Sequence, residues 1–198
     1  MLASLARDTK VESETRGTVA RSGRAHARRA RILAVTTDSR AAAGSPSPAD
    51  IAAVTGLLGR VPNGNFTVVV RRRDGRPVVI ANDPHLRDGE PMPTRYWLVD
   101  PEIRALVGRL ESQGGVRRAE GAVDLEALQR AHARYAEERD AMIPPDWPGP
   151  RPHGGVGGTR HGVKCLHAHV AWWLAGGDDP VGGWVSEQVE LPACDIVA

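Results

Sequence analysis

The sequence predicts a single α+β domain over residues 47–198, in which a small antiparallel sheet of about three strands packs against three to four helices. Two β-prone runs come early and are joined by a short turn that contains Gly75. After residue 100 the apolar residues recur instead at intervals of three and four, which is the period of an amphipathic helix. With 198 residues, 41% of them hydrophobic, the chain can bury one good core.

Residues 1–46 are predicted to be a disordered basic extension of this domain. They hold nine Lys and Arg against four Asp and Glu, a net charge of +5, and show no sustained periodicity. Residues 47–198 hold seventeen against twenty, a net charge of −3. We therefore expect no nucleic-acid partner except through the extension, for which a solvated segment or a mistaken start codon is the simpler explanation.

Cysteine content and hydropathy indicate the compartment. Two cysteines, Cys165 and Cys194, cannot form a disulfide framework or a four-cysteine zinc site. No apolar run approaches the roughly 18 residues that a membrane helix needs. The start, Met1 to Ala6, is too short for the apolar region of a signal peptide. We expect a cytoplasmic protein with no membrane span.

The first helix is predicted over residues 48–58. Ser47 is a good N-cap, Pro48 suits the first helical position, and Gly59 ends the helix. One stripe of the helix is apolar and consists of Ile51, Val54, Leu57 and Leu58.

Three strands follow. Residues 66–71 and 77–81 predict a hairpin, with Gly75 at a positive φ in the turn. A turn-rich loop over residues 82–94 leads to the third strand at 95–99.

The remaining helices carry similar signals. Asp100 followed by Pro101 predicts a helix start, and Gly114 predicts its end. The next helix is predicted over 124–141, with His132 on its buried face, and the last over about 163–175. For residues 181–189 a short strand and a turn are both left open.

The leading functional prediction rests on the glycine-rich loop before the last helix. Glycines in front of a helix leave main-chain N–H groups free for an anion, and three cationic side chains follow them. Glycine runs are also ordinary loop punctuation. We predict a small anionic, phosphate-bearing ligand at Gly157, Gly158, Arg160, His161 and Lys164.

A hydrolase-like enzyme is the first alternative. A helix N-terminus with Lys164 beside it lowers the pKa of a cysteine, which makes Cys165 a candidate nucleophile. His169 shares a helix face with Cys165, and either it or His132 is a candidate base. A buried, inert cysteine is the plain alternative.

Zinc is the cofactor that this cluster suggests, although the cofactor is otherwise unknown. Three ligands would be Cys165, His132 and His169, and the fourth would be Asp100, His153 or His161. The familiar paired-ligand spacing is absent from the chain.

A second alternative is a non-catalytic interaction module. Its partner would be recruited through the basic extension and through the hairpin arginines, namely Arg71, Arg72, Arg73 and Arg76.

Four groups of residues form a recognisable series of motifs along the chain. They are Gly75-Arg76-Pro77, the run from Asp88 to Leu98, Ala131-His132 with Tyr135 and Arg139-Asp140, and the run from Val163 to His167. Together and in this order, they resemble the DUF501 family, an uncharacterised group common in actinobacteria. The resemblance covers about residues 50–185.

The resemblance implies little about activity. Relatives often lie beside genes for a septum-formation initiator, an enolase and an exopolyphosphatase, which points to a cell-division partner or to phosphate chemistry. The family commonly has cysteines where this chain has Arg72, Asp74 and Asp100. That departure disfavours a metal and favours the anionic ligand.

Overall fold

The computed structural model describes residues 46–196, so the prediction for the N-terminal extension lies outside the described residues. The α+β class is confirmed. The elements are α1 (Pro48–Leu58), β1 (Gly64–Arg71), β2 (Pro77–Leu86), β3 (Tyr96–Leu98), α2 (Pro101–Ser112), α3 (Gly115–Ala122), α4 (Leu125–Asp140), a 3-10 turn (Val156–Gly158), α5 (Leu166–Leu174), α6 (Pro180–Gln188) and β4 (Asp195–Ile196).

The sheet is antiparallel throughout, in the order β3, β2, β1, β4. The predicted hairpin is confirmed, with Gly75 at φ 87° in its turn. β2 continues beyond its predicted end because Leu86 still pairs with Gly64. The two-residue β4 adds a fourth strand beside the end of β1.

Alternation along β1 places the buried residues Phe66 and Val68 on one face of the sheet, whereas the half-buried Val69 packs against the core on the other face. α1 covers a small cluster on one face, formed by Val54, Phe66, Val68, Ile80 and Val99. The other face packs against the helices that follow residue 100, and this larger core contains Tyr135, Leu166 and Trp173.

Helix starts that the sequence marks with a capping side chain are confirmed. Ser47 accepts the N–H of Asp50 at 3.1 Å. Asp100 accepts the N–H of Ile103 at 2.9 Å, and Asp124 accepts that of Ala127 at 2.8 Å. Each cap is made within three residues, so local sequence suffices to specify it.

Three features of the helices differ from the prediction. α3 was not expected, and α5 begins at Leu166 rather than at residue 163. Residues 181–189, left open between strand and turn, lie mostly in α6, where Asp179 accepts the N–H of Gly182 at 2.8 Å. Gly182 weakens the helical pattern, yet it is required there, because a Cβ would lie 2.3 Å from the Cβ of Trp173.

A buried arginine holds the loops near the glycine-rich segment. Arg139, on α4, is 1% exposed and donates to the carbonyl oxygens of Gly154 at 2.8 Å and Pro93 at 3.3 Å. Its Nε donates to Asp140 at 2.7 Å, which balances the buried charge. Arg139 thereby ties two loops to α4. No helix between residues 46 and 196 is long and apolar enough to cross a membrane.

Candidate functional site

The glycine-rich loop closes on itself. The N–H of Gly155 donates to Thr159 O at 2.8 Å, and the N–H of Gly158 donates to Gly155 O at 2.9 Å. The N–H of Val156 donates to His132 Nδ1 at 3.0 Å. These three amides are therefore bound by the protein itself.

Several of the glycines allow close packing. A Cβ on Gly154 would lie 2.6 Å from Gly158 O, and one on Gly155 would lie 2.4 Å from the Cβ of His132. These close contacts within the protein explain why the loop has glycines at these positions, and no bound anion is needed to explain them.

The start of α5 is also occupied. Cys165 has an extended φ of −155°, so the helix begins only at Leu166. The N–H of Leu166 donates to Glu111 Oε1 at 2.5 Å, and that of Val163 donates to Glu120 Oε1 at 2.7 Å. The expectation that amides at the front of this helix await an external anion is therefore wrong for both, because internal carboxylates already bind them.

On the outer side of the loop, by contrast, side chains are exposed and main-chain amides are unbound within the described residues. Arg160, His161 and Lys164 are exposed, and their main-chain N–H groups donate to no acceptor within residues 46–196. Arg160 and Lys164 form no ion pair there either. The side chains predicted to bind an anion are thus accessible, while the amides of Gly155, Val156 and Gly158 are already bound within the protein.

Two further arginines lie near this loop. His167 Nε2 is 3.2 Å from Arg104 O, so the segment after the loop crosses α2 beside Arg104. Arg117 precedes Glu120 by three residues on α3 and shares its side of the helix. Both arginines are exposed and unpaired in the described part of the chain. We call the following group the cationic surface: Arg104, Arg117, Arg160, His161 and Lys164.

His132 is buried, as predicted, but both of its ring nitrogens are engaged. Nδ1 accepts from Val156, so the proton lies on Nε2, which donates to Gly162 O at 3.0 Å. Burial lowers the pKa of His132, which favours this neutral form. The suggested roles of His132 as a base or a zinc ligand are not supported, because neither nitrogen is free.

His169 forms a buried pair that the sequence did not reveal. Its Nδ1 lies 2.7 Å from Asp179 Oδ2, with side-chain exposures of 1% and 0%. Nε2 of His169 has no hydrogen-bond partner among the described residues. The signal for Asp179 was its position before Pro180, which matches the capping pattern of Asp100 with Pro101.

Cys165 is half-buried, and its surroundings act on its pKa in both directions. Burial raises the pKa of its thiol, and Glu111 adds to the rise, which outweighs the amides of Ala168 and His167 and the charge of Lys164. The expected lowering of the pKa is therefore wrong.

Two of the suggested zinc ligands, His132 and His169, lie side by side, with ring centroids 5.8 Å apart. No group of three or more His, Cys, Asp or Glu side chains suited to a metal ion occurs within the described range. Asp100 is instead bound by Arg72 at 2.8 and 2.7 Å, and His153 is exposed.

The hairpin arginines are mostly paired with acids. Arg72 also reaches Glu102 at 2.9 Å. Two further pairs join Arg71 to Asp50 at 2.8 Å and Arg76 to Asp74 at 2.7 Å. The ion pairs involve all three positions at which the resemblance implies cysteines. An interaction module recruited by this hairpin is therefore disfavoured, and recruitment through the extension stays a prediction.

No curated protein and no solved structure matches the chain. A family model described as a protein of unknown function does match, over residues 68–187, which is more than half of the chain and includes α2 to α5 with the loop before α5. The protein therefore belongs to the DUF501 family.

Proposed function

We propose that this protein binds a small, phosphate-bearing anion at the cationic surface. One observation carries the proposal: four Arg and Lys residues, on the loop and on the two helices that contact the segment after it, are exposed, and none has an acidic partner within residues 46–196. The predicted ligand residues Arg160, His161 and Lys164 are retained.

The chemistry of this surface suits a phosphate group. Guanidinium groups donate two parallel hydrogen bonds to phosphate oxygens, and Lys164 adds a compact charge. The unbound main-chain amides of Arg160 and Lys164 provide further donors. Gly157 and Gly158 shape the loop in this proposal and make no contact with the ligand.

Inorganic pyrophosphate is a suitable first probe, since it presents several charged oxygens. Its affinity for the full chain can be measured by isothermal titration calorimetry at low and moderate salt. Replacing Arg160 and Lys164 together by Gln is expected to weaken binding about ten-fold or more, because two charge-assisted contacts are lost. The matched control is R73Q, which removes an exposed, unpaired arginine outside the cationic surface.

Two results would contradict the proposal. One is the absence of any binding by the unmodified chain at low salt. The other is a loss of binding free energy per charge removed that is as large in R73Q as in the double variant, which would indicate attraction by net charge alone.

A hydrolase-like enzyme is the second candidate, and the His169 pair favours it. Asp179 orients His169 and leaves Nε2 unbonded, which is how an acid positions a general base. Cys165, four residues earlier, would be the nucleophile. In this candidate H169Q slows alkylation of Cys165 by iodoacetamide at least ten-fold, and C165S abolishes that labelling. An unchanged alkylation rate in H169Q would remove the candidate.

A further inference from the structure

Two glutamates accept hydrogen bonds from main-chain amides on either side of Lys164, which is part of the cationic surface. Glu111 Oε1 accepts the N–H of Leu166 and lies 3.2 Å from His167 Nδ1. The N-cap residue of α5, Cys165, makes no capping bond of its own. Glu111 therefore caps α5 from a neighbouring helix, and its negative charge lies at the favourable end of the helix dipole.

Glu120 fixes the other end of the same short segment. Its Oε1 accepts the N–H of Val163 at 2.7 Å. A Cβ on Gly162 would lie 2.5 Å from this oxygen, and Gly162 has a φ of 63°. Glycine adopts this positive φ without strain, and a Cβ there would displace the Glu120 carboxylate from the Val163 amide. The local chain is therefore adapted to the carboxylate of Glu120.

Lys164 lies between these two anchors. Val163 is held to α3 by Glu120, and Leu166 is held to α2 by Glu111, so the main chain on both sides of Lys164 is fixed. The Lys164 side chain remains exposed. Its position relative to Arg104 and Arg117 thus depends on the carboxylates of Glu111 and Glu120, which bind the main chain on either side of it.

We infer that Glu111 and Glu120 are positioning residues of the anion site and that their charges also limit its affinity for highly charged phosphates. This inference rests on the proposed function. Four permanent positive charges on the cationic surface stand against the two carboxylates, which leaves a small positive excess. Repulsion by the carboxylates scales with the charge of the ligand, so it weakens the binding of pyrophosphate more than that of a singly charged carboxylate such as acetate.

The two roles of each glutamate can be separated by substitution. Gln keeps an oxygen that accepts the amide N–H but removes the negative charge, whereas Ala removes both. E111Q and E120Q should each bind pyrophosphate about two- to five-fold more tightly, because one nearby repulsive charge is lost. E111A and E120A should bind at least about five-fold more weakly than the matching Gln variants, because Lys164 is no longer held.

Hydrogen exchange measured without ligand reports the anchoring directly. In E111A and E120A the amides of residues 163–167 should exchange faster, and in the Gln variants they should stay protected. The matched controls are E137Q and E137A on α4, since Glu137 is exposed and has no side-chain partner in the described part of the chain. Neither control should change exchange at 163–167 or pyrophosphate affinity.

The outcomes distinguish this inference from the proposed function. If the unmodified chain binds pyrophosphate but the Gln variants bind equally or less tightly, the charge role is overturned and the proposed function stands. Unchanged exchange at residues 163–167 in both Ala variants would overturn the positioning role. A chain that binds no pyrophosphate would overturn the proposed function and this inference together.

Discussion

Two regions of the molecule are rich in basic residues, and they use them in opposite ways. In the hairpin between β1 and β2, three of four arginines bind acids at 2.7 to 2.9 Å. On the cationic surface the arginines and Lys164 have no acid partner in the described part of the chain. Composition alone does not distinguish the two regions. They differ in whether the fold brings acidic side chains next to the basic ones.

The burial of the charged side chains explains why one region is paired and the other is not. The side chain of Arg72 is 11% exposed and that of Asp100 is 2% exposed, so each has lost most of its water and requires the other. Arg160 and Lys164 remain in solvent, where an ion pair contributes little to stability. Leaving them unpaired costs almost nothing and keeps them free for a ligand.

The strongest test of the comparison is removal of Arg72. R72A should lower the free energy of unfolding by about 3–5 kcal/mol, because Asp100 is left buried without its cation. Urea denaturation followed by circular dichroism measures this loss. R76A is the control, since its pair with Asp74 is largely exposed, and it should change stability by about 0.5 kcal/mol or less. Equal losses in the two variants would remove the distinction between buried and exposed pairs.

Each region contains a glycine at positive φ, and replacing each of them by alanine should lower the free energy of unfolding by different amounts. Gly75, at φ 87°, has open space around it, so G75A should lower the free energy of unfolding by about 1 kcal/mol. Gly162 has similar backbone strain, and a Cβ there would displace Glu120 from the Val163 amide, so about 2–3 kcal/mol is expected for G162A. Calorimetry of thermal unfolding measures the stability of both variants against the unmodified protein. A loss in G75A as large as in G162A would show that Glu120 is not held there.

The buried pair also predicts a dependence on pH. Burial by itself would raise the pKa of Asp100, but the hydrogen bonds from Arg72 and from the Ile103 amide lower it below its ordinary value. Stability from Asp100 is therefore fully present above its unfolded pKa, about 3.9, and is lost as pH falls through the folded pKa. The free energy of unfolding should fall more steeply below pH 4 in the unmodified protein than in D100N. If the free energy of unfolding depended on pH in the same way in both proteins, the lowered pKa of Asp100 would be contradicted.

The smallest effect on stability is expected from the cationic surface. Replacing Arg160 and Lys164 by Gln removes two solvated charges, so the free energy of unfolding should change by about 0.5 kcal/mol or less. Urea denaturation under the conditions used for R72A makes the comparison direct. Destabilisation approaching that of R72A would indicate that these charges hold the fold together and are not reserved for a ligand.

Elements with local signals were predictable. The starts of α1, α2 and α4 are each fixed by a capping side chain that bonds an amide three residues ahead. α6 carries the same signal at Asp179, but its glycines obscured the pattern. Those glycines are explained only by the close approach of Gly182 to Trp173, which belongs to another helix.

The residues of the proposed anion site were predictable only in part. Arg160, His161 and Lys164 were predicted because cationic residues after glycines are visible in the sequence, and the structure shows that they are exposed. Glu111 and Glu120 were missed, since they lie 55 and 43 residues from the amides that they bind. The true start of α5 was missed for the same reason, because Glu111 supplies its cap from another helix.

The sequence by itself determined the α+β class, the hairpin, the capped helix starts and the inward position of His132, because each depends on periodicity or on contacts within a few residues. Tertiary structure decided which charges are neutralised, which amides are occupied and which histidine nitrogens are free. Those properties depend on partners brought together by packing, since burial makes a charge or an amide require a partner and the fold supplies it from a distant part of the chain.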